Sequence, residues 1–225
     1  MKLVIISDTH NLHRHFGIAG KWEKVPDGDV LIHCGDVTTH GSAEELFNFL
    51  DWFNKQPHKH KIFIGGNHDW CLDTGHSRNK GTEVNKDNFL DGYENIHYLE
   101  HDKIEIEGVV FYGHPYTPWH HGMGFNKQRG EELAEEHNKI PEGVNVLITH
   151  GPPAGIMDEE QNEEKVGSVS LLERVQQIKP KVHCFGHSHA NWGKKEIDNV
   201  LFINAANHTW LWKSVGHTPP HVIEL

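Results

Sequence analysis

Cysteine is scarce. Cys34, Cys71 and Cys184 are the whole supply, an odd number without a Cys-x-x-Cys pair. That excludes a disulfide framework and argues against a structural zinc knuckle. Cys34 and Cys184 end apolar runs and read as small buried side chains. Positive charge is also short: 21 Lys and Arg stand against 32 Asp and Glu, a formal net charge of −11. Wrapping DNA or RNA needs a basic face, and no basic run occurs, so extended nucleic acid is disfavoured while a small nucleotide is not. Long apolar runs are missing too. Leu3-Val4-Ile5-Ile6 is too short for the apolar core of a signal peptide, and nothing approaches the roughly 20 apolar residues that span a bilayer. The expectation is a soluble, cytoplasmic protein without a membrane partner. There is no internal repeat or low-complexity linker, so 1–225 is read as a single domain.

Histidine, in contrast, is abundant, with 22 residues scattered along the chain rather than gathered in a tag. It is the commonest metal-binding side chain. Short apolar runs recur at Lys2–Ile6, Val30–Cys34, Lys61–Ile64, Asn145–Ile148 and Val182–Phe185. Each reads as a strand, Lys2–Ile6 as a central one covered on both faces, and Lys61–Ile64 and Asn145–Ile148 as buried. Ser42 with Glu45 predicts a capping box, and Leu46, Phe49, Leu50 and Phe53 mark one apolar helix face before Pro57. Strand, helix and strand in that order predict a right-handed parallel crossover. Ile96–Leu99, Lys103–Ile106 and Val109–Tyr112 are predicted strands, the last two joined by a Glu107-Gly108 turn. Glu131–Asn138 is predicted helical, as is a segment marked by Val169, Leu172, Val175 and Ile178 and stopped by Pro180. Leu201–Ile203 and His221–Leu225 are closing strands, Trp70–Gly92 a long loop and Asp158–Lys165 a solvated acidic loop. The fold class is layered α/β (α+β), with antiparallel pieces in the second half.

Five of the strands end in polar residues: Asp8 and His10; Asp36; Asn67, His68 and Asp69; His150; and His187 with His189. In α/β sheets ligands gather at the carboxyl ends of strands. Residues two apart in an extended chain point the same way, so Asp8 and His10 are expected to face one point. Any one of these residues alone is most simply a buried, hydrogen-bonded side chain. Five such ends, most beside glycine, are hard to assign to packing. The donors are all nitrogen and oxygen. They are too many for one tetrahedral ion and suit two ions of intermediate softness, with a carboxylate between them. Two divalent ions bring about +4, two aspartates remove 2 and a hydroxide 1, which leaves roughly +1 to attract a phosphate. Two ions roughly 3.5–4 Å apart can activate water and orient an in-line displacement.

The ordered set Asp8-x-His10, Gly35-Asp36, Gly66-Asn67-His68-Asp69, Thr149-His150-Gly151 and Gly186-His187-x-His189 resembles the calcineurin-like metallophosphoesterase superfamily over nearly the whole chain. Tyr112–Trp119 and Ile140–Pro153 are similar to its metallophosphoesterase-domain (MPPED) branch. Some members of that branch carry glycine where this chain has His187; here the histidine is present, so both metal sites are expected to fill. The resemblance implies two mixed β-sheets packed as a sandwich and flanked by helices. It implies that Asp8, His10 and His189 hold one metal, that Asn67, His150 and His187 hold the other, and that Asp36 bridges them. His68 would not ligate; it would face the phosphate and protonate the leaving oxygen or stabilise the transition state. Asp69 would orient His68. The metals would be two of Mn, Fe, Zn, Ni or Co. The implied activity is phosphate-ester hydrolysis by a metal-bound hydroxide, with a small phosphodiester such as a cyclic nucleotide preferred. The alternatives are a phosphomonoesterase or protein phosphatase, and a non-catalytic metal-binding scaffold. Around the motifs, Arg14, His13 and His40 could touch phosphate or be solvated or structural. Trp70, Trp119, His120, His121 and Phe125 could wall a nucleotide base or pack on the sheet. Trp210 and Trp212 could serve the core or an oligomer contact.

Overall fold

Apolar runs become strands close to where they were expected in a computed structural model that describes residues 1–74, 76, 84–160, 164–211 and 214–225. In chain order, β1 (Lys2–Ile6), β2 (Val30–His33), α1 (Ala43–Asn54), β3 (His60–Phe63) and β4 (Ile96–Tyr98) come first. Next are β5 (Asp102–Ile106), β6 (Val109–His114), β7 (Thr117–Pro118), β8 (Asn126–Lys127), α2 (Glu131–Asn138) and β9 (Val146–Thr149). The chain closes with α3 (Val169–Ile178), β10 (Val182–Phe185), β11 (Gly193–Ile197), β12 (Val200–Asn204), β13 (His208–Leu211), β14 (Ser214–His217) and β15 (His221–Glu224). Trp212, the side chain of Trp210, the middle of the acidic loop at 161–163 and most of the long-loop segment 75–83 lie outside the described residues.

One sheet has the order β15-β1-β2-β3-β4, the other β11-β12-β10-β9-β6-β5. Both are mixed. β1 to β4 run parallel with β15 antiparallel at the edge. β6, β9, β10 and β12 run parallel between antiparallel β5 and β11. Alternation along β1 sends Leu3 and Ile5 into a core shared with Ile148, Cys184 and Ile203 of the other sheet. Val4 and Ile6 pack instead with Leu46, Phe49, Leu50 and Phe53 of α1. Leu147 and Phe185, on the outer face of the second sheet, pack with Leu171 and Val175 of α3. Helices therefore flank a two-sheet sandwich, and continuous apolar runs follow because the central strands are covered on both faces. All three cysteines are free and buried. Among the described residues no helix is long and apolar enough to cross a membrane.

The capping box forms: Ser42 Oγ accepts from Glu45 N at 3.2 Å, and Glu45 Oε2 accepts from Ser42 N at 3.5 Å. In α3 the buried stripe differs from the expected one. Leu171 and Val175 are buried, while Val169 is 60 % exposed. Ser168 is the N-cap and accepts from Leu171 N, so Val169 begins the helix on its outer side. β11 has no apolar pattern to reveal it: Gly-Lys-Lys-Glu-Ile is an edge strand with three exposed charged residues, which protects the edge from further pairing.

Candidate metal centre

The parallel strands of both sheets end on one side of the sandwich, and the motif residues meet there. Asp8 and His10 follow β1, Asp36 follows β2, Asn67 and His68 follow β3, His150 follows β9, and His187 and His189 follow β10. Asp8 and His10 do not converge by strand alternation as expected. β1 stops at Ile6, and both residues have left-handed backbone, φ 54° and 41°. Their N–H groups donate to the carbonyls of Gly35 and Asp36, each at 3.0 Å, which pins the turn to the loop after β2. Asp36 and His187 are left-handed as well, φ 56° and 65°. Such backbone costs about 1–2 kcal/mol for a residue with a Cβ, so four instances at one site are sustained by the surrounding bonds. Close approach explains two glycines. A side chain at Gly66 would overlap Asp36 and His150, and one at Gly186 would overlap Asp8 and Ser7.

Two groups of donors adjoin. In the first, Asp8 Oδ1 lies 3.2 Å from His189 Nε2 and His10 Nε2 lies 3.4 Å from His189 Nε2. In the second, Asn67 Oδ1 lies 2.8 Å from both His150 Nε2 and His187 Nδ1. Asp36 stands between them: Oδ2 is 3.7 Å from His10 Nε2 and Oδ1 is 3.4 Å from His150 Nε2. Donor atoms of Asp8, His10 and His189 all fall within 4.8 Å of one another, as do those of Asp8, Asp36 and His150 and those of His10, Asp36 and His68. This nitrogen and oxygen set, split by one carboxylate, fits two ions of intermediate softness. His150 Nδ1 is 2.9 Å from the Cys34 carbonyl, which turns Nε2 toward the site, the usual second contact of a ligating imidazole.

Charge is already matched without ions. Burial would raise the Asp8 and Asp36 carboxyls, but neighbouring imidazoles, His189 for Asp8 and His150 with His68 for Asp36, hold both below the usual carboxylate range. Burial opposes protonation of His150, yet Asp36 overrides it and lifts its pKa to about 9. His189 is likewise raised, against burial, by its bond to Asp8. His10 and His187 are lowered to about 3, chiefly by burial. The carboxylates of Asp8 and Asp36 thus favour positive charge on the imidazoles beside them, the same charge that two cations would bring.

Asp69 does not contact the His68 ring. Its carboxylate is fully buried and accepts from Gly66 N at 2.8 Å, Val37 N at 3.2 Å, and Thr38 N and Oγ1 at 2.8 Å each. It therefore knits the loops after β2 and β3 together, which corrects the expectation that it orients His68. The His68 ring is set by the Thr39 carbonyl, 2.9 Å from Nδ1, and its backbone N–H donates to Asp36 Oδ1 at 2.8 Å. Thr38 and Thr39 were not foreseen from the sequence; their place two and three residues after Asp36 is the one available signal. Nor was His208 foreseen, whose ring centroid is 5.7 Å from that of His10.

A cavity of about 430 Å³ opens over Asp36, Asn67, His68, His187 and His189. His120, His121 and Met123 line it on one loop, and Glu160, Glu164 and Val166 on another. The other candidates stand apart from it. His13 is buried against Phe49 and Trp52, Arg14 donates to Asn48 at 3.0 Å, and His40 pairs with Glu45. Phe125 is core, Trp70 donates to the Asn67 carbonyl at 2.9 Å, and Trp119 is 53 % exposed outside the cavity lining.

The chain is similar to known proteins over most of its length. The chain is 42% identical over 213 residues to the UPF0046 protein K07C11.7 of Caenorhabditis elegans, an alignment that covers 92% of this chain and 69% of that protein. It is 36% identical over 243 residues to human metallophosphoesterase domain-containing protein 1, covering 100% of this chain and 71% of that protein. Among solved structures, phosphopantetheinyl hydrolase (PptH) from Mycobacterium tuberculosis shares the fold, with a TM-score of 0.60 at 17% identity over 91% of this chain and 88% of that one. The calcineurin-like phosphoesterase profile matches residues 1–191, and the chain belongs to that family.

Proposed function

We propose that this protein is a dinuclear metal-dependent phosphoesterase that hydrolyses small phosphodiesters, a cyclic nucleotide being of suitable size. One observation carries this: the two oxygens of Asp36 face two different donor groups, at the floor of an open cavity that His68 also lines. Asp8, His10 and His189 would hold one ion, Asn67, His150 and His187 the other, and Asp36 both. When bound, two divalent ions supply an activated water and positive charge for the phosphoryl oxygens.

The residues do the rest. The left-handed turns at Asp8, His10, Asp36 and His187 fix the donors before any ligand arrives. Thr39 holds the His68 ring through Nδ1, which leaves Nε2 to face a bound ester and, in the protonated form, to give a proton to the leaving oxygen. The cavity of about 430 Å³ is of nucleotide size, and the formal charge of −11 disfavours a long polyanion.

Side-by-side rates on bis(p-nitrophenyl) phosphate and p-nitrophenyl phosphate, with Mn²⁺ present, test the substrate class. Faster turnover of the diester is expected. Turnover of the monoester alone would replace the diesterase by a phosphomonoesterase. No turnover of either, with no bound metal, would leave a scaffold.

A further inference from the structure

The first donor group is assembled from two different sheets. Asp8 and His10 follow β1 of one, and His189 follows β10 of the other. A strap of chain immediately after β12 joins these halves. Ala205 N donates to the Phe185 carbonyl at 2.7 Å, and Asn204 Nδ2 donates to the Ser188 carbonyl at 2.8 Å, both beside the β10 ligands. On the other side Asn207 N donates to the Ser7 carbonyl at 2.9 Å, and Ser7 N donates back to Asn207 Oδ1 at 3.1 Å, next to Asp8. Thr218 closes the strap by bonding Ala206 and Asn207. Every residue from Asn204 to His208 is at least 98 % buried, and the whole strap lies beyond the matched family span of residues 1–191.

His208 ends this strap against both imidazoles of the first group. Its ring centroid is 5.7 Å from that of His10 and 5.8 Å from that of His189, edge-on to each at 73° and 74°. It belongs to none of the converging donor groups among the described residues. His10 and His189 need such support. Their Nε2 atoms stand 3.4 Å apart and aim at one point, so a modest rotation of either ring would separate the two donors. The second group depends on other contacts: His150 is set by the Cys34 carbonyl, and His187 by Asn67.

We propose that His208 is a positioning residue for the first ion alone, holding His10 and His189 in their ligating orientation from a strap outside the matched family span. This rests on the dinuclear reading above. The ring does so by packing: its flat edge blocks rotation of both imidazoles, so their donors converge before an ion binds.

Mn²⁺ titration of the purified full chain, followed by calorimetry and by electron paramagnetic resonance, tests this. The wild type is expected to take up two ions and give the spectrum of a coupled pair. His208→Ala should weaken one ion about tenfold, in the range found for residues that support ligands, and the other less than threefold. At intermediate Mn²⁺ its spectrum should become that of an isolated ion. His208→Leu, which keeps bulk without the flat ring, should behave like His208→Ala and serves if the alanine variant folds poorly. His208→Phe should keep both ions within threefold of wild type. Equal weakening of both ions, no change in either, or loss of one ion in His208→Phe would overturn the proposal. A wild type that binds no Mn²⁺ would instead refute the dinuclear reading.

Discussion

Asp36 and His150 meet at 3.4 Å, Oδ1 to Nε2, with side chains 2 % and 0 % exposed. In the ion-free site this is a buried ion pair, because Asp36 keeps His150 protonated up to about pH 9 against the cost of burial. A cation ligated by His150 must displace that proton. Metal affinity should therefore keep rising as pH climbs from 7 towards 9, rather than level off once an ordinary histidine has titrated at about 6.5. Calorimetric Mn²⁺ titrations at several pH values, in buffers of different ionisation enthalpy, would report both the affinity and the released protons. Constant affinity above pH 7, with no proton release, would contradict the pairing.

His68 is held by Thr39 and Asp36 through groups other than Nε2. His68→Ala should retain both ions and lower kcat by about 10²–10⁴, the range for a lost general acid. Metal analysis beside kinetics separates this from ligation. Loss of an ion in the variant would make His68 a ligand, a role its closeness to His10 and Asp36 also permits.

Acid stability follows from a second group of histidines, away from the centre. His114, His137 and His183 are buried, and burial lowers all three, His137 to about 4 and His183 to about 3. Each is neutral in the folded chain and takes a proton at about 6.5 once unfolded. The unfolded state therefore binds more protons below pH 6.5, and stability falls as pH drops from 6.5 through the folded values. His137 alone, lowered by burial to about 4, would withdraw about 3 kcal/mol by pH 4. Melting temperatures measured in chelator should fall steeply from pH 6.5 to 4, and should also decline gently from 6.5 to 8 as the stabilisation from the raised His150 is lost. His114→Leu should reduce the fall, since neither ring nitrogen of His114 has a hydrogen-bond partner among the described residues. A level profile down to pH 4 would contradict this account.

Much of the layout was legible because it depends on local pattern. The runs ending at Ile6, His33, Phe63, Thr149 and Phe185 are mostly apolar since both faces of their strands are covered, and their polar ends could be read directly. The Ser42–Glu45 box lies within one helical turn and needs no tertiary contact. What escaped depends on segments far apart in the chain. The left-handed turns at Asp8 and His10 are imposed by carbonyls of Gly35 and Asp36. Asp69 is adjacent to His68 in sequence, yet it binds Val37 and Thr38, some thirty residues away. His208 reaches His10 across almost the whole chain. Of the aromatic segment proposed as a base wall, only His120 and His121 line the cavity, because Phe125 turns inward under Gly65.

The central claim concerns Asp36 as the shared ligand of two ions, and anomalous diffraction from Mn²⁺-soaked crystals tests it most directly. Two peaks are expected, roughly 3.5–4 Å apart, one against Asp8, His10 and His189 and one against Asn67, His150 and His187, with an oxygen of Asp36 on each. A single peak, or two that leave Asp36 uncoordinated, would contradict it.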